Sequence, residues 1–215
     1  MALVPPSIAS LRIILASGSK QRLTLLKQIV WFGTLKFYKG IEPTVRISNY
    51  DENLSKDLAV DEFVRETARM KAVTIAKLVV APFDIKDYDV IIGCDTVVLF
   101  NNNIIGKPIN VEDARATLHR LSGNVHEVYT GVTIIDNNQQ CEQFVERTTV
   151  KFCQIPANVI EEYIASGEPF DRAGSYSIQG CGGMFVEKID GCYYNVVGLP
   201  INRLVKALWK RIGLK

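Results

Sequence analysis

The chain contains the sequence Asp89-Val90-Ile91-Ile92-Gly93-Cys94-Asp95-Thr96-Val97-Val98-Leu99-Phe100, which is typical of a β-strand in the core of a sheet. Asp95 is unusual there, because nearly all of its neighbours are apolar. Removing an ionised carboxylate from water costs on the order of several kcal/mol unless a cation, a metal or hydrogen-bond donors compensate it. Two interpretations remain open: a structural carboxylate satisfied by backbone donors or an arginine, and a functional one.

A hairpin is predicted immediately after this strand. The polar sequence Asn101-Asn102-Asn103 is typical of a turn, and Ile104-Ile105 is typical of a short returning strand. Lys107 follows between Gly106 and Pro108, where the return ends. Because a lysine in a turn is usually solvated, Lys107 by itself is weak support for a binding site.

A strand, a turn and a helix are predicted near the start of the chain. Ile13-Ile14-Leu15-Ala16 forms the strand and Ser17-Gly18-Ser19 the turn, and the apolar face of the helix consists of Leu23, Leu25, Leu26 and Ile29. Hydroxyls and free backbone N–H groups at a helix N-terminus can bind phosphate, and Arg22 can lean over the same point. The alternative is that Ser19 only caps the helix, and the ending of a Walker loop is absent.

A long helix is predicted from an N-cap at Asp61 to about Val80. Lys71 falls within its apolar stripe, which consists of Val64, Ala68, Ile75 and Val79. The stem of Lys71 could cover core surface while the ammonium reaches water. Because Ala68 and Ile75 should face the core, a wet cleft or an anionic ligand is a competing explanation.

A further helix and two strands are predicted in the middle of the chain. The pair Asn110 and Asp113 is typical of a helix N-terminus. Strands at about 127–135 and 143–152 are joined by a polar turn and should pair antiparallel. Another helix is predicted to begin at Pro156.

A glycine-rich sequence at 173–183 is too irregular to form one regular element. Long loops of this kind are often functional. Beyond it, residues 184–186 and 193–197 are predicted to form a hairpin around Asp190-Gly191, and a final helix is predicted from Pro200.

Composition indicates one globular domain, residues 1–215, with a loose N-terminal arm at residues 1–10. The chain is 47% hydrophobic and 22% charged, and no apolar run approaches the length of a membrane span. Its net charge of +2 comes from 25 basic and 23 acidic residues, so nothing in it favours a nucleic-acid polymer as a partner.

The cysteines and histidines do not form a recognisable metal or disulfide pattern. The five cysteines are odd in number and contain no Cys-x-x-Cys pair, which predicts reduced thiols in the cytoplasm. His119 and His126 fit neither a zinc pair nor a catalytic triad. Glu52 and Asp95, in contrast, could together hold one Mg²⁺ with substrate phosphates and water.

In their order along the chain, these motifs resemble those of the Maf family of nucleoside triphosphate pyrophosphatases, from about residue 13 to residue 208. The resemblance is carried by Leu15-Ala16-Ser17-Gly18-Ser19-x-x-Arg22, Gly93-Cys94-Asp95-Thr96-Val97-Val98, Gly106-Lys107-Pro108, Leu121-Ser122-Gly123 through His126 to Thr130-Gly131-Val132, and Ala173-Gly174-Ser175-Tyr176-Ser177-Ile178-Gln179-Gly180 with Gly198-Leu199-Pro200. Each motif is weak alone, whereas the ordered set is specific.

The resemblance implies a single α/β domain similar to Maf and ITPase-like folds. In such a fold an elongated, mixed and mostly antiparallel sheet is flanked by helices, and two lobes surround a deep cleft. The implied reaction is hydrolysis of a nucleoside triphosphate to monophosphate and pyrophosphate with a divalent metal, Mg²⁺ or Mn²⁺. The resemblance is also compatible with a homodimer.

The resemblance further implies a role for each matching residue. Asp95 would be the catalytic residue that accepts a proton from the water attacking the α-phosphorus, and it would share the metal with Glu52. The triphosphate would be bound by Ser17, Gly18, Ser19, Arg22, Lys71 and Lys107. Specificity for the base would depend on Gln21, Thr96 and Gln179.

Position 21 departs from the family pattern. Members usually carry Ser-Pro-Arg-Arg where this chain has Ser19-Lys20-Gln21-Arg22, and a neutral amide cannot replace a guanidinium in bidentate recognition. The sequence around Gln179 resembles the branch that acts on dTTP and UTP, and the branch that acts on 7-methyl-GTP is the alternative. A nucleotide-binding regulator of cell division with little turnover is a further alternative, which only Gln21 favours.

Overall fold

The computed structural model describes residues 8, 11–32, 38–80 and 88–213. Its helices are α1 (Lys20–Gln28), α2 (Val60–Val80), α3 (Val111–Leu121), α4 (Ala157–Ala165), α5 (Tyr193–Val197) and α6 (Ile201–Arg211). Its strands are β1 (Ile13–Ala16), β2 (Val30–Phe32), β3 (Tyr38–Gly40), β4 (Thr44–Val45), β5 (Val90–Phe100), β6 (Asn103–Ile105), β7 (Val125–Asp136), β8 (Cys141–Phe152) and β9 (Val186–Asp190). The glycine-rich loop contains two short 3₁₀ helices, Ala173–Ser175 and Cys181–Phe185.

Seven strands form one mixed sheet in the order β4-β1-β5-β7-β8-β9, with β6 also paired to β5. β1 is parallel to both of its neighbours, whereas the other pairs of this sheet are antiparallel. β2 and β3 form a separate antiparallel pair. The predicted α/β fold with a mixed and mostly antiparallel sheet is therefore confirmed.

The neighbours of β5 leave a gap along one of its edges. β1 pairs with residues 90–93 and β6 with residues 98–100, so residues 94–97 lack a strand neighbour on that edge in the described part of the chain. On the other edge, β7 pairs with nearly the whole of β5. Asp95 and Thr96 therefore lie where the sheet is open on one side.

Two glycines allow α2 to lie very close to the sheet. A Cβ atom on Gly93 would be 2.2 Å from the carbonyl oxygen of Ala68, and one on Gly131 would be 2.2 Å from another carbonyl oxygen of α2. Side chains do not tolerate such distances, so helix backbone meets strand backbone only because both positions lack a Cβ. Gly131 also pairs with Asp95 in the sheet. The close approach brings Lys71, about one turn after Ala68, to Asp95.

The apolar core is divided into clusters on different parts of the sheet. One cluster packs α1 and α6 against the region of β1, with Leu15, Leu26 and Leu204 fully buried. A second packs α3 and α4 against β8, with Leu118 and Phe152 fully buried. Residues next to both clusters, Val197 beside the first and Val98 of the second, also line one cleft.

The predicted hairpin between residues 184–186 and 193–197 is wrong. β9 pairs with β8 instead, whereas the second segment forms the short helix α5. The buried amide of Asn195 donates to the carbonyl oxygen of Val128 and to Oγ1 of Thr148, both at 3.0 Å. These tertiary hydrogen bonds outweigh the β-propensity of the neighbouring tyrosines and valines.

The N-terminus of α2 also differs from the prediction. The helix begins at Val60, so Asp61 lies in its first turn rather than at the N-cap. Its carboxylate there stabilises the helix by interacting with the positive end of the helix dipole. Lys71 is buried, as are three residues of the predicted stripe, namely Val64, Ala68 and Ile75. The side chain of Val79 lies outside the described residues.

The predicted N-terminal arm is described at one position. Ile8 is fully buried in the core beside β1, and residues 1–7 and 9–10 lie outside the described residues. Within the described ranges, none of the helices combines the length and the hydropathy that crossing a membrane requires.

Candidate active site

A cleft of about 610 Å³ opens at the gap beside β5. Its walls come from the loop after β1, from α2, from the turn after β6 and from the glycine-rich loop. All residues that the sequence predicts for a site line this cleft: Ser17, Gly18, Ser19, Gln21, Arg22, Glu52, Lys71, Asp95, Thr96, Lys107 and Gln179. The fold thus brings together residues that are far apart in the sequence.

Lys71 is the cation that compensates the charge of Asp95. Its Nζ donates to Oδ1 of Asp95 at 2.8 Å and lies 2.7 Å from Oε1 of Glu52. Asp95 is 6% exposed, whereas the side chain of Glu52 is 51% exposed. The oxygens of two carboxylates therefore converge on one positive charge, and one of these carboxylates is shielded from water.

The second carboxylate oxygen of Asp95 is a buried acceptor without a protein partner in the described part of the chain. Oδ2 is buried and has no hydrogen-bond partner among the described residues, although buried polar atoms nearly always have one. Because Lys71 holds Oδ1, the orientation of the carboxylate is set while Oδ2 stays free. Oδ2 can accept a hydrogen bond or a proton from water, or it can ligate a cation.

The loop after β1 forms a hydroxyl-lined corner of the cleft. Oγ of Ser19 caps α1 by accepting from the backbone N–H of Arg22 at 3.4 Å. Oγ of Ser17 accepts from the backbone N–H of Ser19 at 3.2 Å and from Nη1 of Arg22 at 3.0 Å. Ser19 therefore caps the helix, and the same loop faces the cleft at the positive end of the helix dipole.

Arg22 is a buried cation that protein acceptors hold in place. Its Nε donates to the carbonyl oxygen of Gly198 at 2.9 Å, and its Nη2 donates to Oγ1 of Thr96 at 2.8 Å. Oγ1 of Thr96 is also 3.0 Å from Oγ1 of Thr130. No carboxylate among the described residues forms an ion pair with Arg22, so its charge contributes to a positive potential in the cleft.

Lys107 and Gln179 lie at more open positions of the cleft. Lys107 forms an ion pair with Asp171, and the two side chains are 65% and 68% exposed. An ion pair this exposed contributes little to stability, so another anion can easily replace Asp171 as the partner of Lys107. The side chain of Gln179 makes no hydrogen bond to the described residues, so its amide is free to meet a ligand.

Sequence reasoning missed Arg172, which lines the cleft next to Gln21. Its Nη1 donates to Oε1 of Gln21 at 3.0 Å, although the two residues are 151 positions apart. A signal was present in the sequence, because the charged pair Asp171-Arg172 directly precedes the glycine-rich stretch. Residues beside such a loop often contribute to binding.

Glu168 was also missed, and it fixes the end of the glycine-rich loop. Its carboxylate accepts from the backbone N–H groups of Cys181 and Gly182 and from the hydroxyl of Tyr163, each at 2.9 Å. Burial acts to raise the pKa of Glu168, but these hydrogen bonds and the charge of Arg172 outweigh burial and lower the pKa below its usual value.

The two histidines serve no catalytic arrangement. Nε2 of His126 is 2.9 Å from the hydroxyl of Tyr176, and its ring packs edge-on against Phe152. Burial lowers the pKa of His126 to about 4. His119 is exposed on α3. His126 therefore packs in the core and His119 lies at the surface.

The carboxylates in the cleft fit a hard divalent cation. Among the described residues, no three side chains of His, Cys, Asp or Glu lie together as a metal site. Oδ1 of Asp95 and Oε1 of Glu52 nevertheless converge on one charge, and Oδ2 of Asp95 is an additional oxygen without a partner in the described ranges. Mg²⁺ commonly uses only one or two carboxylates together with substrate phosphates, so this donor set suits a cation that binds with a phosphate ligand.

Comparison with known proteins gives a consistent result over nearly the whole chain. The family model described as Maf-like protein matches residues 12–211. A dTTP/UTP pyrophosphatase of Clostridium novyi (strain NT) is 44% identical over 202 residues, which cover 91% of this chain and 95% of that protein. One of Clostridium tetani (strain Massachusetts / E88) is 44% identical over 206 residues, which cover 94% of this chain and 97% of that protein.

Among solved structures, the Staphylococcus aureus Ham1 protein aligns with a TM-score of 0.41 and 12% identity, over 66% of this chain and 71% of that chain. The family assignment rests instead on the match along residues 12–211 and on relatives that are 44% identical over nearly their full length. On these grounds the chain belongs to the family of Maf-like proteins.

Proposed function

We propose that this chain is a nucleoside triphosphate pyrophosphatase that hydrolyses dTTP and UTP to the nucleoside monophosphate and pyrophosphate. The names of the similar clostridial proteins support this substrate class. The observation that carries the proposal is the geometry of Asp95, whose Oδ1 is held by Lys71 while Oδ2 is unpartnered in the cleft. A carboxylate with one oxygen fixed and one oxygen free is suited to general-base catalysis.

In the proposed reaction, a water molecule attacks the α-phosphorus of the nucleotide. Oδ2 of Asp95 accepts a proton from this water while the new P–O bond forms. The bond from the α-phosphorus to the oxygen that bridges to the β-phosphate breaks, and pyrophosphate leaves with the electron pair. Lys71 holds the carboxylate through Oδ1, so the base does not have to reorient during proton transfer.

The triphosphate is bound by cationic and hydroxyl groups. Phosphoryl transfer depends mainly on positioning and on stabilising negative charge. The N-terminus of α1 and the buried Arg22 supply a fixed positive potential, while Lys107 adds charge at an exposed position. The proposed triphosphate ligands are Ser17, Gly18, Ser19, Arg22, Lys71 and Lys107.

We further propose that Asp95 and Glu52 hold Mg²⁺ or Mn²⁺ together with the substrate phosphates. When bound, such a cation neutralises negative charge on the phosphates. The convergence of both carboxylates on the ammonium of Lys71 supports this assignment, because it shows that their oxygens can face one positive charge.

Base preference is assigned to Gln21, Thr96 and Gln179. Thr96 is held by hydrogen bonds to Arg22 and Thr130, so its hydroxyl is a fixed feature of the cleft. The side-chain amide of Gln179 is free among the described residues and can adapt to the edge of a base.

Pyrophosphate release from dTTP, UTP, CTP, ATP, GTP and 7-methyl-GTP tests the proposal. With Mg²⁺ or Mn²⁺ present, the purified chain is expected to act on dTTP and UTP well above the others. Release from 7-methyl-GTP alone would assign the chain to that specificity instead. Tight nucleotide binding by calorimetry without release from any nucleotide would contradict the enzyme and leave a nucleotide-binding regulator.

Location and assembly are separate parts of the proposal. All five cysteines are free thiols, which favours a reducing compartment, and we place the chain in the cytoplasm. A homodimer is the proposed assembly. Light scattering coupled to size exclusion gives its mass, and a mass of a single chain at all concentrations would contradict it.

A further inference from the structure

Gln21 and Arg172 connect the first turn of α1 to the start of the glycine-rich loop. Nη1 of Arg172 donates to Oε1 of Gln21 at 3.0 Å, and Oγ of Ser19 donates to the same oxygen at 3.4 Å. The amide oxygen of Gln21 is therefore occupied. Its Nε2 makes no hydrogen bond to any described residue, so the amide presents only N–H donors to the cleft.

Arg172 retains most of its hydrogen-bonding capacity. Apart from the bond to Gln21, its Nη1 makes only a long contact of 3.4 Å to the carbonyl oxygen of Asp171. Nε is buried without a partner, and Nη2 has none among the described residues. No carboxylate in the described part of the chain forms an ion pair with Arg172, and Glu168 acts on it only through its electrostatic field. Such a guanidinium is suited to an oxygen-rich ligand.

The backbone next to Arg172 has an uncommon conformation. Asp171 has a φ of 65° and Ser175 a φ of 61°, in the left-handed region that residues other than glycine rarely adopt. Residues held in this way cluster at functional sites. Asp171 pairs with Lys107 while Arg172 reaches Gln21, so adjacent side chains engage two separate segments of the cleft wall.

We propose that Arg172 is a substrate-binding residue, and that Arg172 and the amide N–H groups of Gln21 form a donor-only pair that binds oxygen atoms of the nucleotide. This inference rests on the proposed function and deepens it. Gln21 carries no charge, and Arg172 brings a positive charge to the same point of the cleft. The oxygen atoms that fit this pair belong to phosphate groups or to the ring carbonyls of a base.

A donor-only pair discriminates against amino groups. A ring amino group is itself a hydrogen-bond donor, so it would place N–H groups against the N–H groups of Arg172 and Gln21. The donors of the protein would then be removed from water without gaining an acceptor. UTP carries a carbonyl at the ring position where CTP carries an amino group. These two nucleotides therefore differ in the chemistry that the pair can recognise.

Steady-state kinetics of Arg172→Gln test the inference, because glutamine keeps donors but removes the charge. The value of kcat/KM for UTP is expected to fall by about ten- to a hundredfold, mainly through KM, as for the loss of a charge-assisted hydrogen bond. Arg172→Lys keeps the charge without the planar fork and should lose less. The matched control is Arg115→Gln, which removes an exposed ion pair with Glu161 and should keep wild-type kinetics.

Two further measurements identify the oxygen atoms that Arg172 contacts. If they belong to phosphates, Arg172→Gln loses activity equally on UTP and CTP and is inhibited less by inorganic tripolyphosphate. If they belong to the base, the loss is confined to UTP, and the preference for UTP over CTP shrinks. Either pattern supports the inference, whereas unchanged kcat/KM for UTP would overturn it.

A double variant tests whether positions 21 and 172 serve the same ligand atoms. Gln21→Arg combined with Arg172→Gln returns one guanidinium to this point of the cleft, so it should recover most of the activity that Arg172→Gln loses. A double variant that is no more active than Arg172→Gln would overturn the shared role. Thermal unfolding of each variant shows whether the compared proteins are equally folded.

Wild-type activity separates this inference from the proposed function. A wild-type chain that releases no pyrophosphate from any nucleotide contradicts the proposed function itself. An active wild-type chain with an unaffected Arg172→Gln variant contradicts only the role of Arg172.

Discussion

The ammonium of Lys71 lies 2.8 Å from Oδ1 of Asp95, and both residues are more than nine-tenths buried. This ion pair connects the middle of α2 to the open edge of β5. It compensates a carboxylate that would otherwise be isolated in a core strand, and it leaves Oδ2 without a partner. Oδ1 is therefore held structurally by a lysine, whereas the proposed catalytic role of Asp95 depends on Oδ2.

Asp95→Asn should abolish pyrophosphate release while nucleotide binding persists. The amide has nearly the same shape but cannot accept the proton, and a general base contributes about 10²- to 10⁴-fold to rate. Release is measured by a pyrophosphate assay and binding by calorimetry with the same nucleotide. Wild-type turnover in this variant would remove Asp95 from the reaction.

Lys71→Met should lower the free energy of unfolding by about 3–5 kcal/mol, because it leaves the carboxylate of Asp95 buried without its cation. Urea unfolding at pH 7 measures the change. The double variant Lys71→Met/Asp95→Asn should recover much of the loss, since the remaining pair is neutral. Glu52→Gln is the matched control: its side chain is 51% exposed, so the cost should stay below about 1 kcal/mol.

An equally unstable double variant would show that the loss comes from packing around the lysine stem and not from charge. The comparison is clean because methionine has about the volume of that stem and introduces no new polar group.

The free energy of unfolding should depend on pH through His126. Burial lowers its pKa from 6.5 to about 4, so the unfolded chain binds the proton more readily than the folded protein. The contribution of His126 to the free energy of unfolding is complete well above pH 6.5 and is lost as the pH falls towards 4. About 2 kcal/mol of the free energy of unfolding is lost between pH 7 and pH 5.

Urea unfolding of the wild type and of His126→Gln at these two pH values measures this contribution. The variant should lose about 2 kcal/mol less than the wild type over the interval. Equal losses in both proteins would assign the pH dependence to other groups.

Gly131→Ala should destabilise the protein by about 3 kcal/mol, because its new Cβ would lie 2.2 Å from a backbone oxygen of α2. The helix must shift to relieve this contact, so Lys71 moves relative to Asp95 and kcat should fall as well. Thermal unfolding and turnover report the two effects. Gly106→Ala is the control, since nothing lies within 4 Å of the added Cβ, and it should keep the wild-type Tm.

Local patterns in the sequence predicted the elements whose conformation is determined by residues nearby in the chain. The strand and helix on either side of Ser17-Gly18-Ser19 and the hairpin at Asn101-Asn102-Asn103 are confirmed, because turn chemistry and periodicity act over a few residues. The segment 193–197 was misassigned because its conformation depends on the hydrogen bonds of Asn195 to β7 and β8, which no local pattern reveals.

The composition of the cleft was predictable, whereas its pairings were not. Asp95 was expected to need compensation, but only the fold shows that the compensating group is Lys71. The contact between Gln21 and Arg172 likewise joins distant segments. The sequence indicates which residues can bind or react, whereas the tertiary fold determines which of them are in contact.

The close approach of α2 to the sheet at Gly93 and Gly131 has a consequence for motion. Because helix backbone rests on strand backbone, the Cα atom of Lys71 cannot move away from β5 unless the helix lifts as a whole. Amide hydrogen exchange in the middle of α2 should therefore require openings close to global unfolding. One wall of the cleft, α2 against β5, is therefore held by direct contact between two backbones, and its shape is fixed by the absence of two Cβ atoms.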